Sequence, residues 1–216
     1  IINVALMLSI LSFNTIAKTP LIPLEHFTQM PMVSTPSISP DGKNIAVILN
    51  QGEFTQVAVI PFDKSSNAKV LLQLGVEKFR IDDINWGNDG RILVSVSQPY
   101  KIDKRRYRTT HLYSVKIDGS GLFEIRKRSK DPVSFYYNSP SLLSLLDDDP
   151  EHILVTIRDP RDNNYSSVYK VNIEDGDFDK YLPNSNRIVS WGVNRTGEVL
   201  LAVGIDKSPD KDINYI

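Results

Sequence analysis

A tight turn followed by a β-rich strand occurs four times along this chain, and this repeat constrains the fold more than any other feature. The four units cover residues 39–48, 88–96, 149–157 and 195–203. In the first turn, Ser39-Pro40-Asp41-Gly42, proline presets φ, aspartate can bond back to the local backbone, and glycine accepts a positive φ at the exit. A recurring unit of this kind predicts a repeat architecture.

A second strand follows each of these units, most clearly in the second and third. His111–Gly119 aligns with Val168–Gly176, and in both segments Tyr, Val and Ile alternate with polar residues before an acidic residue and a glycine. This is the period-2 pattern of a strand with a hairpin turn at its end. In the first unit, residues 56–63 take the same place less regularly.

The spacing between the turns is that of propeller blades. Gly42 and Gly90 are 48 residues apart (90 − 42), and Gly90 and Gly197 are 107 apart (197 − 90). The longer interval covers two units, lengthened by insertions at 98–108 and 127–137. Four-stranded propeller blades repeat at about 40–50 residues.

We therefore predict an all-β fold, a β-propeller with about three and a half four-stranded blades present and the ring incomplete in this chain. The predicted blades cover approximately residues 35–74, 80–126, 138–182 and 186–216. Trp86 and Trp191 occupy matching places before two of the turns. We expect both to pack between blades, because buried aromatic side chains dominate core energetics.

The turns carry expectations of their own. The residues expected to shape them are Asp41, Gly42, Asp89, Gly90 and Gly197. Gly42 and Gly90 are expected to have a positive φ, which glycine adopts without steric cost. The turn at Asp149-Pro150-Glu151 lacks glycine, so its geometry must differ.

The two ends of the sequence predict a piece of a longer, exported protein. Residues 1–11 are almost wholly apolar but too short to span a bilayer, and Thr15-Ile16-Ala17 fits a cleavage site. We predict a truncated signal peptide over 1–17 and a lead-in segment over 18–34; an apolar first strand is the alternative. Closed propellers typically have about 4–8 blades, so more chain is expected downstream, and the protein is expected to be periplasmic or secreted.

Composition excludes several classes of function. The net charge is −1, so no overall field attracts nucleic acid or membranes, and without cysteine there is neither a disulfide nor a thiolate metal site. His26, His111 and His152 lie far apart, and the last two are expected to be partly exposed residues at strand ends. Gly119-Ser120-Gly121 lies in a hairpin turn, which does not suit a nucleophile elbow. We expect no catalytic residue, cofactor or metal ion in this chain.

Two basic segments, 101–108 and 126–130, flank one hairpin of the second unit. They form a candidate positive patch made of Lys104, Arg105, Arg106, Arg108, Arg126, Lys127 and Arg128. Such a patch suits an acidic partner or a neighbouring domain, and the alternative is a solvated loop. The neutral net charge disfavours nucleic acid, and no membrane contact beyond the export signal is expected.

Residues 36–46, with the sequence PSISPDGKNIA, resemble a blade motif shared by two groups of propellers. These are the TolB-like propellers and the N-terminal propellers of prolyl oligopeptidase family serine peptidases. The order of leader, Pro23–Phe27, this blade and then Trp86–Val94 is similar to bacterial secreted members of the peptidase family. The resemblance covers nearly the whole chain after residue 22.

The resemblance implies an α/β-hydrolase domain downstream of the propeller, with a Ser-Asp-His triad that this chain does not contain. It also implies that the propeller caps the active site and restricts entry to short peptides. No catalytic residue can be carried over to this sequence. The alternative is a non-enzymatic TolB-like periplasmic propeller that acts as a binding or scaffold module.

Overall fold

The computed structural model describes residues 31–63, 67–127, 140–159, 162, 165–205 and 214–215. The predicted signal peptide and most of the lead-in segment lie outside the described residues, as does His26. The described residues form β-strands joined by turns, and these strands group into four sheets.

The strands follow one another sheet by sheet. The first sheet contains β1 (Val33–Ile38), β2 (Asn44–Gln51), β3 (Phe54–Pro61) and β4 (Lys69–Gly75). The second contains β5 (Arg80–Asn88), β6 (Arg91–Ile102), β7 (Arg105–Lys116) and β8 (Phe123–Ile125). The third contains β9 (Ser141–Ser144), β10 (His152–Asp159), β11 (Tyr165–Asn172) and β12 (Phe178–Leu182). The fourth contains β13 (Ile188–Val193), β14 (Val199–Gly204) and β15 (Asn214–Tyr215).

Within each sheet the strands pair antiparallel in chain order. Between sheets, the first strand β1 contacts the first strand β5, and β9 contacts β13. The fold is therefore an all-β propeller with three four-stranded blades and three described strands of a fourth. The predicted fold class is confirmed.

Apolar residues fill the spaces between consecutive blades. The second blade is therefore buried on both faces. Along β6, Ile92 and Val94 face the first blade, while Leu93 between them faces the third. All three side chains are fully buried. A continuous apolar run is expected for a strand buried on both faces, and it explains why the repeated strands are so uniformly aliphatic.

The two tryptophans join their blades to the preceding ones. Trp86 Nε1 donates a hydrogen bond to the carbonyl oxygen of Ser37 on β1, at 3.0 Å. Trp191 Nε1 donates to the carbonyl oxygen of Ser166 on β11, at 2.6 Å. The prediction that both pack between blades is confirmed.

The turn glycines divide into two kinds. Gly42 and Gly197 have φ of +72° and +88°, as a left-handed turn position requires. Gly90 does not adopt a positive φ, so that expectation was wrong. Here Asn88 Oδ1 accepts the Gly90 N–H at 2.9 Å, and this side-chain contact shapes the turn without a left-handed residue.

His111 lies inside β7 and is buried, so its predicted partly exposed position at a strand end was also wrong. Its Nδ1 lies 2.8 Å from Glu124 Oε1 and its Nε2 lies 3.3 Å from the Gln98 side-chain nitrogen. The hydrogen bond with His111 is the main cause that lowers the pKa of Glu124. His152 does begin β10, partly exposed, as expected.

Arg91 is a buried cation at the junction of the second and third blades. It is 2% exposed, and its Nη1 donates to Ser114 Oγ at 2.9 Å and to the Gly121 carbonyl oxygen at 3.3 Å. Its Nε lies 2.7 Å from Glu174 Oε1, an ion-pair contact without hydrogen-bond geometry. The contact with Arg91 is the main cause that lowers the pKa of Glu174. Ser114 Oγ in turn donates to the Ile173 carbonyl oxygen at 2.8 Å.

The two kinds of turn glycine predict opposite responses to a methyl group. Gly42→Ala should lower the free energy of unfolding by about 1 kcal/mol, because alanine is strained at positive φ. Gly90→Ala is the matched control, since a Cβ there meets only Asn88 Oδ1 at 3.6 Å, an ordinary contact. Urea unfolding of both variants measures the difference. Equal losses would contradict the turn geometry.

Replacing Arg91 should destabilise the propeller more than replacing an exposed arginine. In Arg91→Met the side chain stays long, but Ser114, Gly121 and Glu174 lose their cationic partner, at a cost of about 2–3 kcal/mol. The control Arg105→Met changes an exposed side chain and should stay within about 0.5 kcal/mol of the parent. Chemical denaturation monitored by tryptophan fluorescence checks this, and an Arg91→Met variant as stable as the control would refute it.

Candidate functional site: the inner groove

A cavity of about 680 Å³ runs along the first strands of the second, third and fourth blades. We call it the inner groove. Its polar lining includes Asp83, Asn85, Ser95, Thr110, Ser141 and Ser144. Leu142, Leu143 and Leu145 supply an apolar wall on β9 and just after it. A cavity lined by apolar side chains together with a few polar groups is the usual character of a ligand site.

A β-bulge in β5 determines which side chains reach the inner groove. The pairing of β5 with β6 shifts between Ile81 and Asp83, which leaves Asp82 as the extra residue. Ile81 and Ile84 are therefore both buried against the first blade, although three positions separate them. The bulge turns Asp83 to the opposite side, where it pairs with Ser95 of β6 and lines the groove.

The carboxylate of Asp83 is oriented by its neighbour on the same strand. Asn85 Nδ2 donates a hydrogen bond to Asp83 Oδ2 at 2.9 Å. Sequence reasoning did not single out either residue. The available clue was the spacing Ile81-Asp82-Asp83-Ile84, in which two apolar residues enclose two acids and break the period of a regular strand.

A second cavity of about 470 Å³ adjoins the groove on the side of the turns that lead into β6, β10 and β14. Asp147, Arg195, Asn85 and Leu145 line both cavities. Asp147 Oδ2 accepts an ion-pair contact from Arg195 Nε at 2.8 Å. The two cavities therefore share part of their walls, and the ion pair lies in that shared part.

We call the second cavity the mouth of the inner groove, and turn-to-turn contacts link the blades around it. The Asp41 N–H donates to Asp89 Oδ1 at 2.8 Å, which joins the first and second turns. Asn88 Nδ2 donates to the Pro150 carbonyl oxygen at 3.0 Å, and the Asp147 N–H donates to the Arg195 carbonyl oxygen at 2.8 Å. Asp41 and Asp89, selected from sequence for turn shape, thus also connect neighbouring blades.

The predicted insertion at 98–108 is not a loop but an extension of two strands. β6 and β7 stay paired as far as Ile102 and Arg105, and only Asp103 and Lys104 form the turn. Tyr100 and Tyr107 stack across this hairpin with ring centroids 5.3 Å apart. We call residues 98–109 the basic hairpin.

The residues of the predicted positive patch do not lie together: some are on the basic hairpin and others are not. Lys104, Arg105 and Arg106 are exposed on the basic hairpin. Arg108 is also exposed there, but it donates to Ser97 Oγ at 2.9 Å and lies 3.7 Å from Asp82 Oδ1.

Lys127 instead lies against the third blade. Its Nζ is 3.9 Å from the centroid of the Tyr169 ring and 3.5 Å from Asp159 Oδ2. Tyr169 donates a hydrogen bond to Asp159, which also pairs with Lys180 at 3.0 Å. Arg126 lines a separate cavity of about 440 Å³ with Lys127.

Arg128, the last member of the patch, lies outside the described residues. In the part of the chain that the structure describes, no three His, Asp or Glu side chains are grouped as metal ligands would be. No helix among the described residues is both long enough and apolar enough to cross a membrane.

No protein-family model and no curated protein matches this sequence. Solved structures do match the fold. Pyrococcus horikoshii acylaminoacyl peptidase is 19% identical with a TM-score of 0.51, over 86% of this chain and 30% of that chain. This chain shares the propeller fold of that peptidase.

Two further matches have lower TM-scores. Puromycin hydrolase is 16% identical with a TM-score of 0.46, over 85% of this chain and 26% of that chain. TolB from Acinetobacter baumannii is 10% identical with a TM-score of 0.44, over 85% of this chain and 40% of that chain. This chain therefore spans less than half the length of each of these three proteins.

The first turn contains a carboxylate whose ionisation supports the fold. Asp41 Oδ1 accepts hydrogen bonds from Ser39 Oγ at 2.7 Å and from the Lys43 N–H at 3.0 Å. These contacts, with Ser39 contributing most, lower the pKa of Asp41 from 3.8 to about 2. Because the pKa in the folded state is the lower one, the stabilisation is complete above the unfolded value and is lost as the pH falls towards 2.

We therefore expect Asp41→Asn to lose less stability than the parent between pH 5 and pH 2.5. The variant lacks the titrating carboxylate, so this part of the pH dependence disappears while other carboxylates still titrate. Thermal unfolding midpoints of both proteins at the two pH values measure the effect. A decline in the variant as steep as that of the parent would contradict the role of Asp41.

Proposed function

We propose that this chain is the N-terminal propeller of a periplasmic or secreted serine peptidase of the prolyl oligopeptidase family. The observation that carries the proposal is the propeller fold shared with acylaminoacyl peptidase over 86% of this chain. The motif order from the SPDGK turn at 39–43 to Trp86–Val94 supports the same assignment.

In this proposal the propeller caps the active site of a downstream hydrolase domain and admits only short peptides. The inner groove, at about 680 Å³, falls within the range of about 300–1,000 Å³ that is typical of small-ligand sites. A folded protein does not fit into such a space, whereas an extended peptide does. The serine and asparagine side chains along β5 and β9 supply hydrogen-bond partners for a peptide backbone.

The hydrolase domain, expected in cis, supplies the nucleophile, the base and the oxyanion donors. Acyl transfer at a serine needs all three within contact distance. The described histidines are engaged elsewhere, His111 with Glu124 and His152 with Asp149, each at 2.8 Å. We propose that the chemistry lies in the hydrolase domain expected beyond Ile216.

Export completes the proposal. The apolar segment 1–11 and the site Thr15-Ile16-Ala17 support a signal peptide over residues 1–17. That segment and the lead-in up to residue 30 lie outside the described residues, so export stays a prediction from sequence.

A fluorophosphonate probe, which reacts with activated serines, tests this assignment on the full-length protein. We expect labelling at a serine beyond Ile216, located by peptide mapping, and no labelling of residues 1–216 expressed alone. Heat-denatured full-length protein is the control for non-specific reaction. A label within residues 1–216 would refute the division between propeller and hydrolase. A full-length protein that is never labelled would favour a non-enzymatic TolB-like scaffold.

A further inference from the structure

The inner groove has an unbalanced negative charge. Three charged residues line it, Asp83, Asp147 and Arg195. Asp147 and Arg195 neutralise each other through their 2.8 Å contact at the mouth. Asp83 remains, and among the described residues no cationic side chain lies within ion-pair distance of its carboxylate.

The neighbouring carboxylate, that of Asp82, does have cationic partners. Asp82 Oδ1 lies 3.3 Å from Arg80 Nε and 3.7 Å from Arg108 Nη1. The bulge at Asp82 thus directs one carboxylate to these two arginines and the other into the groove. The local cations are used by Asp82, so Asp83 keeps its negative charge available to a ligand.

The side chains around Asp83 can accept hydrogen bonds from an ammonium ion. A primary ammonium has three N–H donors and no acceptor. Asn85 donates its Nδ2 to Asp83, which leaves its Oδ1 as an acceptor, and the Ser95 hydroxyl lies on the strand position opposite Asp83. Asp83 is exposed to the cavity, and Leu142 and Leu143 of β9 line the same cavity, where the alkyl part of a peptide can contact them.

We propose that Asp83, with Asn85 and Ser95, binds a primary ammonium group of a peptide in the inner groove. That group is either the free amino terminus or a lysine side chain. The inference rests on the proposed function in that a short peptide is the molecule that enters the groove. It adds to the peptidase assignment a preference of the groove for positively charged peptides.

Calorimetric binding of three peptides to the full-length protein tests the proposal. They are tetra-alanine amide with a free amino terminus, its N-acetylated form, and N-acetyl-Ala-Ala-Lys-Ala amide. The protein is first treated with the fluorophosphonate probe, so that hydrolysis does not consume the peptides. At least one of the two charged peptides should bind about fivefold more tightly than the neutral one, the scale of a partly exposed ion pair.

Two variants test whether Asp83 causes the preference for the charged peptides. Asp83→Asn should abolish it, because asparagine keeps the shape and an acceptor but removes the negative charge. Asp103→Asn makes the same charge change at the tip of the basic hairpin, where asparagine also tolerates the φ of +54°, and should keep the full preference. Thermal melting confirms that both variants are folded.

The charged peptide that binds more tightly than the neutral one shows whether the ammonium group is an amino terminus or a lysine side chain. The proposal is overturned if the parent binds all three peptides equally or not at all, or if Asp83→Asn retains the preference.

Labelling by the fluorophosphonate probe is measured separately from peptide binding. An unlabelled protein with an Asp83-dependent preference removes the peptidase assignment and leaves this inference standing, whereas a labelled protein without the preference removes the inference alone.

Discussion

Burial of apolar side chains between consecutive blades is the interaction on which the rest of this structure depends. Each four-stranded sheet would expose large apolar areas in isolation, and it becomes stable by stacking on its neighbours. Val57 of the first blade and Ile92 of the second are fully buried in one such layer, and Leu93 and Ile153 in the next. Stability is then shared between adjacent repeats, as in other repeat architectures.

Apolar stacking is not directional, so polar contacts must determine how one blade sits on the next. The indole N–H groups of Trp86 and Trp191 perform this role inside the interfaces. Arg91 performs it at the interface of the second and third blades, through the loop after β7 and the turn after β11. The contacts between turns, such as Asp41 with Asp89, perform it at the mouth of the groove.

The fold could be predicted because its evidence is local and repeated: turn chemistry followed by an aliphatic strand, at a constant spacing. The errors concern features that local patterns do not contain. The basic hairpin has two exposed faces, so its strands lack the apolar alternation that marks a strand, and it resembles a loop. Burial of His111 depends on Glu124 in the next strand. The turn at Gly90 depends on the Asn88 side chain rather than on the glycine.

The inner groove was missed for a related reason, because the residues that line it come from several blades. Asp83 and Ser95 are neighbours only through strand pairing, and Ser141 joins them only through blade stacking. Composition gives an overall charge near neutrality and cannot show that one carboxylate stays unbalanced inside a cavity. The bulge was the one clue in the sequence, and its meaning depended on knowing which side of β5 faces the core.

The same bulge shows how this scaffold separates stability from specificity. It allows Ile81 and Ile84 to remain in the core between the first and second blades while Asp82 and Asp83 both leave it. Changing Asp83 therefore alters the groove without removing an apolar contact. Pairing shifts also occur in β9 and β13, the other first strands that line the groove, so their groove-facing residues can change in the same way. A propeller built like this can acquire a new ligand preference one strand at a time, while the apolar layers that hold its blades together stay as they are.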